Sequence, residues 1–362
     1  MTLDGFDEAL RRIADRAAKH DLDGSFPHEA FTDLHRCGAL NLTVPAELGG
    51  SGGTLAEAVQ VVRAVGAADP SVALVLSMHL INHAELGSPD NAWPAEVREQ
   101  VQRSSIAGVA LINALRAEPD LGTPTRGGLP ATVAERDGDT WSIRGRKTYS
   151  TGIPGLSWLL VLARVDDGTG TFLVPAGTPG YEVEPTWDHL GMRATRSDDV
   201  VFDDVRIPAS HAVDLRPADA RTSTQAAWIP LLIAAVYDGV AQAARDWLVG
   251  YLNERTPSSL GKPLASLPRF QSAVGRIESL LLTNRTLLAE PGGQAGLVKH
   301  TVTNNAVQAV RLGIELIGNP GLSRANPIER HYRNVLCSRI HVPQDDTVLA
   351  NAGSAALQED AG

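Results

Sequence analysis

The segment GRKTYSTG, residues 145–152, is the most informative part of the chain, and it closes a longer stretch that begins at Thr140, TWSIRGRKTYSTG. Short runs of β-branched and aromatic residues bounded by glycine predict a strand that ends in a turn. Tyr149, Ser150 and Thr151 would place an aromatic wall and two hydroxyls on that strand, and the glycines permit a close backbone approach. The segment therefore favours a site for a flat, hydrogen-bonding ring. A plain strand end that enters a turn has the same pattern.

The chain around this segment divides into three zones of different periodicity. Residues 1–103 carry apolar side chains at spacings of three and four, as in LAEAVQVVRAVGAA, which predicts a helical domain. Residues 104–215 contain short β-branched segments bounded by Gly, Pro and Asp, which predict a compact antiparallel β domain. Residues 216–362 return to long helical patterns, which are typical of a helical bundle. The predicted fold class is α+β and mostly helical.

Composition excludes several classes of function. The chain has 362 residues, 43% hydrophobic and 20% charged, with a formal net charge of -10 and no basic run, so neither nucleic acid nor an anionic membrane is the expected partner. Cys37 and Cys337 are too far apart for a metal or redox pair, and we expect a reducing, cytoplasmic location. The longest apolar run, Ala226–Val236, is too short to span a bilayer. Rossmann and P-loop glycine motifs are absent, and so is a G-x-S-x-G elbow.

Six segments, in order along most of the chain, together resemble the acyl-CoA dehydrogenase superfamily. The resemblance implies an N-terminal helical domain, a middle antiparallel β domain and a C-terminal four-helix bundle that together bind a flavin. The six segments are LTVPAELGGSGG (residues 42–53), AEPDLGT (117–123), GRKTYSTG (145–152), LGMRATRSDDVVFDDVRIP (190–208), ERTPSSLGKPL (254–264) with Gln271, and LIGNPGL (316–322).

The resemblance also implies which residues hold the cofactor. Arg255 and Gln271 would reach the diphosphate and adenine end of a cofactor bound to a neighbouring subunit, which favours FAD over FMN and requires a homodimer or homotetramer. An arginine suits this task because its planar fork matches phosphate oxygens. The spacing between Arg255 and Gly261 is two residues longer than in the family pattern. The remaining implied flavin contacts are Thr123, Tyr149, Thr151, Gly318 and Asn319.

Family dehydrogenases abstract an α-proton with a carboxylate, and the sequence leaves both familiar positions for this base without one. When RNVLCSRIHVPQDDTVL is aligned without a gap on the family's Y-E-G-T segment, His341 takes the place of Tyr and Val342 that of the catalytic Glu. The second position, in the first long bundle helix, is occupied by Ile229. A shift of three residues would make Asp345 the base, but it requires an insertion.

The reduced-flavin monooxygenase branch of the superfamily, such as dibenzothiophene monooxygenase, resembles this chain more closely. Its members share YSTG and an H-x-P at the C-terminal place, here His341 to Pro343. Oxygen transfer needs a proton donor and a dry pocket rather than a carboxylate base, and a histidine beside the Ser150 hydroxyl suits that task. His79 and His83 lie four residues apart on one helical face, where this branch lines its substrate cavity.

Each of these residues also has a purely structural interpretation. His79 and His83 could be hydrogen-bonded core residues, and zinc binding is disfavoured because no third ligand lies nearby in the sequence. Asp345 and Asp346 could begin a helix, where acidic side chains favour its positive end. In the functional alternative, Gln344 and Asp346 make polar contacts with the flavin.

Three hypotheses follow. The first is an oxygen-transfer enzyme that uses reduced flavin and O2 on a nitrogen, sulfur or carbon centre of a small molecule, with the flavin reduced by a separate reductase. The second is a dehydrogenase of an acyl thioester, carried on CoA or on a carrier protein. The third is a flavin-binding protein without catalysis.

Overall fold

The computed structural model describes residues 3–121, 128–166, 168–215 and 223–359. An N-terminal group of helices, one β-sheet and a C-terminal helical bundle follow one another along the chain, and helices of the N-terminal group pack directly on the bundle, which confirms the predicted α+β, mostly helical fold. The helices are α1 (Phe6–Asp23), α2 (His28–Arg36), α3 (Leu55–Ala68), α4 (Pro70–Leu86), α5 (Ala95–Ala107), α6 (Ser223–Glu254), α7 (Pro268–Ala289), α8 (Ala295–Ile317), α9 (Pro327–Leu336) and α10 (Asp345–Glu359). The strands are β1 (Leu111–Leu115), β2 (Val133–Asp137), β3 (Thr140–Lys147), β4 (Leu156–Val165), β5 (Gly168–Pro175), β6 (Tyr181–Glu184), β7 (Asp199–Pro208) and β8 (Ala212–Asp214).

The sheet has the strand order β6-β7-β3-β2-β4-β5-β8, and β1 pairs with β4 beside this path. Most neighbouring strands are antiparallel, but β1 runs parallel to β4, and so does β2 where Val133 meets Arg164. Antiparallel pairing of β3 with β7 places the end of the GRKTYSTG strand beside the start of β7. The site motifs of the β domain therefore meet where β3 ends and β7 begins.

The helices of the N-terminal domain begin at residues suited to that position. Thr54 and Glu57 form a capping box, in which the Thr54 hydroxyl accepts from the Glu57 N–H and the Glu57 carboxylate accepts from the Thr54 N–H. Asp69 caps α4 by accepting from the Ser71 N–H at 2.8 Å, and Pro70 occupies the first helical position, where its missing N–H costs nothing. These local signals end α3 and begin α4 with a single residue, Asp69, between the two helices.

Helix α6 is the centre of the bundle. Its residues 231–237 are each at most 2% exposed, and α3, α4, α7, α8 and α9 pack around it. The range Ala226–Glu254 is long and apolar enough to cross a membrane, yet 67% of its most apolar window is buried inside the protein. That burial is the pattern of a core helix.

The N-terminal domain approaches this central helix through two glycines. A Cβ atom at Gly66 of α3 would lie 2.6 Å from the Val236 carbonyl oxygen, and one at Gly239 of α6 would lie 2.3 Å from the Arg63 carbonyl oxygen. Both distances are far below van der Waals contact and involve backbone atoms, which cannot rotate away. The two helices can therefore cross this closely only where neither has a side chain.

An ionic network lies beside the crossing. The Arg63 guanidinium donates to Asp238, a fully buried carboxylate, which also accepts from the Asn284 amide at 2.8 Å. The Asn284 oxygen in turn accepts from Asn305 at 2.9 Å. This chain of contacts joins α3, α6, α7 and α8, and it satisfies a charge that would be unfavourable if it were buried alone.

Replacement of Gly239 with alanine tests the close crossing. We expect Gly239→Ala to lower the free energy of unfolding by about 1–3 kcal/mol or more, because the added methyl must push the α3 and α6 backbones apart. Gly250→Ala in the same helix is the matched control, since a Cβ there has no neighbour within 4 Å. It should leave stability unchanged or raise it by about 0.5–1 kcal/mol. Urea unfolding measures both variants, and equal stabilities would refute the steric role of Gly239.

Candidate functional site

The strand end 148–152 carries two buried hydroxyls without a partner. Among the described residues, neither the Thr148 nor the Ser150 hydroxyl has a hydrogen bond, although Thr148 is 8% and Ser150 1% exposed. Tyr149 between them has a positive φ of 54° and is 60% exposed. Buried hydroxyls without partners are unfavourable. Together with the exposed aromatic ring, they form an edge suited to a flat, polar group.

Backbone hydrogen bonds bring two other motif segments to this edge. The Thr148 N–H donates to Ala117 at 2.9 Å, and the Ser150 N–H donates to Asp198 at 3.2 Å. Thr151 accepts a hydrogen bond from the Ser197 hydroxyl at 3.0 Å. Three of the segments that carry the family resemblance thus converge at one place.

A buried ion pair connects the loop after β1 to β3. Lys147 and Glu118 are 0% and 3% exposed, and the Lys147 Nζ lies 2.6 Å from Glu118 Oε1. The Glu118 carboxylate also accepts from the backbone N–H groups of Ala131, at 2.6 Å, and Thr132, at 3.1 Å. Burial alone would raise the pKa of Glu118, but Lys147 and these donors lower it. Glu118 therefore joins Ala131 and Thr132 to the strand end.

The C-terminal segment reaches the centre of the bundle through His341. Its Nε2 atom lies 2.7 Å from the hydroxyl of Tyr237, a fully buried residue of α6. Burial, and secondarily the charge of Lys299, lowers the pKa of His341 to about 4. The imidazole is therefore neutral at physiological pH, with one of its nitrogens facing the bundle core.

Asp345 lies in an ion pair rather than standing alone. Its carboxylate is 3.1 Å from Lys299, which is fully buried, and it accepts from Asn304 at 3.2 Å and lies 3.2 Å from His300. Burial raises the pKa of Asp345, but Lys299 and Asn304 outweigh it and lower the pKa overall. Lys299 also donates to the Pro343 carbonyl at 3.0 Å. These contacts fasten the segment after His341 to α8.

Gln344 and Asp346 stand on either side of the start of α10. The Gln344 carbonyl accepts from Val348 at 3.0 Å, and Asp346 Oδ1 accepts from the Thr347 N–H at 2.8 Å. Asp346 lies in the first turn of the helix, as the helix-start interpretation expects. Both side chains make further contacts within the protein.

His79 and His83 are both completely buried and stack edge to face, with ring centroids 4.4 Å apart. His79 Nε2 donates to the Leu40 carbonyl at 3.0 Å, whereas its Nδ1 and both nitrogens of His83 have no partner among the described residues. Burial lowers the pKa of His79 to about 4 and that of His83 well below its ordinary value. In the part of the chain that the structure describes, no third metal-ligating side chain joins them.

The residues implied for the far end of the cofactor lie on the surface of the bundle. Arg255 follows α6 and Gln271 lies in the first turn of α7, both exposed, and Gln271 donates to Ala265 at 3.1 Å. Gly318, with a φ of 66°, ends α8, and the exposed Asn319 follows it. Thr123 lies outside the described residues.

The residues of this region that were not singled out from the sequence include Lys147, Tyr237 and Lys299. Each of the two lysines has a polar residue beside it in the sequence, and lysine is rarely buried, so both positions predict an exposed side chain. Tyr237 was the more visible signal, because the YDG triplet interrupts an apolar helical run. None of the three has a local pattern that identifies its partner.

Comparison with known proteins identifies the family. Models of the acyl-CoA dehydrogenase N-terminal, middle and C-terminal domains match residues 7–90, 114–205 and 223–342. YdbM of Bacillus subtilis (strain 168), whose acyl-CoA dehydrogenase name is itself provisional, is 35% identical over 97% of this chain and 96% of its own. The chain therefore belongs to the acyl-CoA dehydrogenase family and is a flavin-dependent oxidoreductase.

One further relative is named a nitrososynthase, and one similar structure contains an amino-sugar nucleotide. L-evernosamine nitrososynthase of Micromonospora sp. is 30% identical over 90% of this chain and 82% of its own. A structure of KijD3 in complex with FMN and dTDP-3-amino-2,3,6-trideoxy-4-keto-3-methyl-D-glucose is 28% identical, with a TM-score of 0.81, and the match covers 98% of this chain and 93% of that one.

Removal of one charge from the Glu118–Lys147 pair tests its role. Lys147→Met and Glu118→Gln alone should each lower the free energy of unfolding by about 3–5 kcal/mol, because each leaves a buried charge unpaired. The double variant should recover much of that loss, since the amide oxygen introduced by Glu118→Gln still accepts from the loop. The corresponding substitutions at the exposed Arg311–Glu315 pair are the control and should change little. Equal effects at both pairs in thermal unfolding would contradict this account.

The buried histidines predict a loss of stability in acid. The folded-state pKa of His83 lies below 6.5, so the unfolded chain binds more protons and the free energy of unfolding falls as pH drops below that value. One such group contributes about 1.4 kcal/mol per pH unit at most. Asp69, whose pKa burial raises to about 6, acts in the opposite direction.

His83→Phe isolates this contribution from the others. The free energy of unfolding of the variant, relative to that of the wild type, should increase when the pH is lowered from about 7.5 to about 5. The reason is that the variant lacks a group that must stay neutral in the fold. His28→Phe, at an exposed position, is the control. Urea unfolding at both pH values measures the free energy of unfolding of each protein. If the stability of His83→Phe relative to the wild type is the same at both pH values, His83 is not buried as a neutral ring.

Proposed function

We propose that this flavin enzyme is a monooxygenase that uses reduced flavin and O2 to oxidise a nitrogen, sulfur or carbon centre of a small molecule. The observation that carries the proposal is the neutral imidazole of His341, next to Val342 at the position where the family alignment places the carboxylate base of the dehydrogenases. A ring with a pKa near 4 is a poor acceptor for an α-proton at neutral pH, whereas its N–H remains a hydrogen-bond donor.

Nitrogen is the centre that we favour. The relatives reported above include a nitrososynthase and a protein crystallised with an amino-sugar nucleotide, at 30% and 28% identity over most of both chains. In the proposed reaction, two electrons from reduced flavin and two protons reduce O2, so that one oxygen atom enters the substrate and the other leaves as water. A separate reductase would supply the reduced flavin.

The residues at the strand end fit a flavin ring. The Thr148 and Ser150 hydroxyls are buried without partners among the described residues, and the exposed Tyr149 ring offers an aromatic surface beside them. Thr151 and Gly152 follow on the same turn. When bound, the flavin would supply the electrons and activate O2. We propose FAD as the cofactor, with FMN as the alternative, because KijD3 holds FMN.

We propose that the remaining cofactor contacts come from a second copy of the chain. Arg255 is exposed on the bundle surface, where its guanidinium is available to a diphosphate on a neighbouring subunit. Gln271 lies at the other end of the same connection, and Gly318 and Asn319 lie exposed at the end of α8. We therefore propose a homodimer or homotetramer, with these residues at the contact between subunits.

Two groups of chain residues would serve the reaction directly. Ser150 and His341 would donate hydrogen bonds to the reacting oxygen and exclude water from it. His79 and His83, which are dry and neutral, would line the substrate cavity and accept from a substrate amine. Asp345 would act as an anchor through its ion pair with Lys299.

A second candidate is an acyl thioester dehydrogenase, because YdbM, at 35% identity, has that provisional name. Asp345 would then be the base. Its ion pair with Lys299 and its lowered pKa make it a weak one, which favours oxygen transfer.

Isotope labelling distinguishes the two candidates. The protein is supplied with FAD or FMN, a flavin reductase with NADH, labelled O2 and a panel of dTDP-amino sugars. We expect incorporation of labelled oxygen at nitrogen, and no bleaching of the bound flavin when an acyl-CoA panel is added anaerobically. Bleaching by an acyl-CoA without oxygen incorporation would establish the dehydrogenase instead.

Replacement of Ser150 tests whether its hydroxyl takes part in oxygen incorporation. Ser150→Ala should lower the rate of oxygen incorporation by about tenfold or more, because it removes a donor to the reacting oxygen. Ser354→Ala on the exposed face of α10 is the control and should retain the wild-type rate. Equal rates in the two variants would remove Ser150 from the mechanism.

A further inference from the structure

Tyr237 and His341 form a hydrogen bond between parts of the chain that are 104 residues apart. The hydroxyl oxygen and Nε2 are 2.7 Å apart, a normal hydrogen-bond distance, and the ring centroids are separated by 5.7 Å. Tyr237 is completely buried in the middle of α6, whereas His341 retains partial exposure. The Tyr237 end of the bond therefore has no access to water.

The burial of the Tyr237 hydroxyl decides which of the two groups donates the hydrogen bond. A buried hydroxyl must find an acceptor for its hydrogen, and among the described residues its hydrogen-bond partner is His341 Nε2. If Nε2 carried the proton instead, the Tyr237 hydrogen would be left in the core without an acceptor, at about 1–3 kcal/mol. Burial raises the pKa of Tyr237 well above its ordinary value, so the hydroxyl keeps its proton.

We propose that Tyr237 is a positioning residue that fixes His341 as the neutral tautomer protonated at Nδ1. A neutral imidazole carries one N–H, so occupation of Nε2 as an acceptor leaves Nδ1 as a donor. His341 then presents a hydrogen-bond donor, and not a base, to its ligand. The group that it recognises carries a lone pair, such as a reacting oxygen. The tautomer is inferred from the Tyr237–His341 hydrogen bond alone. Only its use in catalysis rests on the proposed function.

The backbone around His341 is held in place by contacts that do not involve its ring. Lys299 of α8 donates to the Pro343 carbonyl at 3.0 Å and pairs with Asp345 at 3.1 Å, so that it fastens the chain on the C-terminal side of His341. Cys337 lies on the N-terminal side, where burial raises the pKa of its thiol to about 11. The ring is thus oriented by α6 and its backbone is held by α8.

Nitrogen NMR of the protein labelled at histidine tests the proposal. His341→Gln identifies the His341 signals among those of the ten histidines. In the wild type at neutral pH, we expect Nε2 to resonate as an unprotonated nitrogen and Nδ1 as a protonated one. The reverse assignment in the wild type would overturn the proposal, whether or not the protein has any activity.

Tyr237→Phe provides a second NMR test of the proposal. The variant should move the His341 population toward the Nε2–H tautomer, because the donor to Nε2 is gone. Tyr251→Phe, the same change in the same helix, is the control, since that ring stacks on Trp247 and has no contact with His341. An unchanged tautomer in Tyr237→Phe would overturn the positioning role.

Kinetics separate this proposal from the proposed function. Tyr237→Phe should lower kcat for oxygen incorporation by about tenfold or more with KM little changed, and Tyr251→Phe should not. If Tyr237→Phe changes the tautomer but not kcat, the catalytic use of the Nδ1 donor is refuted. If the wild type shows the expected tautomer without oxygen transfer to any substrate, the tautomer is supported and the monooxygenase assignment fails on its own.

Discussion

The close crossing of α3 and α6 is the constraint on which the rest of the structure depends. Gly66 and Gly239 allow the two backbones to approach within a distance that any side chain would prevent. Because consecutive helical residues point about 100° apart, the two residues before Gly239 reach different partners. Asp238 pairs with Arg63 of α3, and Tyr237 contacts His341. One turn of a buried helix thus sets the positions of the N-terminal domain, the bundle and the C-terminal segment.

The β domain positions the strand end 148–152 by a different kind of interaction. Its strand end is placed by sheet pairing, and the loop beside it is held by the buried Glu118–Lys147 pair. Such a pair contributes little net stability, since its attraction is offset by the loss of hydration. It does restrict the backbone, because a carboxylate that accepts from two N–H groups and a lysine has only one arrangement. The Thr148 and Ser150 hydroxyls, which have no partner among the described residues, are therefore presented from a rigid edge.

The electrostatic character of the site is that of neutral donors. Burial lowers the pKa of His79 and His341 to about 4, and the carboxylate of Asp345 is occupied by Lys299. Groups of this kind can orient a substrate and donate hydrogen bonds, but they are weak bases at neutral pH. This is the physical basis for preferring oxygen transfer over removal of an α-proton within a family that includes both.

The sequence by itself determined the order of helical and β zones, because residue periodicity reports which face of each element is buried, and it singled out His341 and Ser150 by family motifs. It did not identify Tyr237, Lys147 or Lys299, which lie 104, 29 and 46 residues from the partners His341, Glu118 and Asp345. The partner of a buried polar group depends on where distant elements cross. That is a property of the packed core, where an unpaired donor or charge is unfavourable, and no local pattern encodes it.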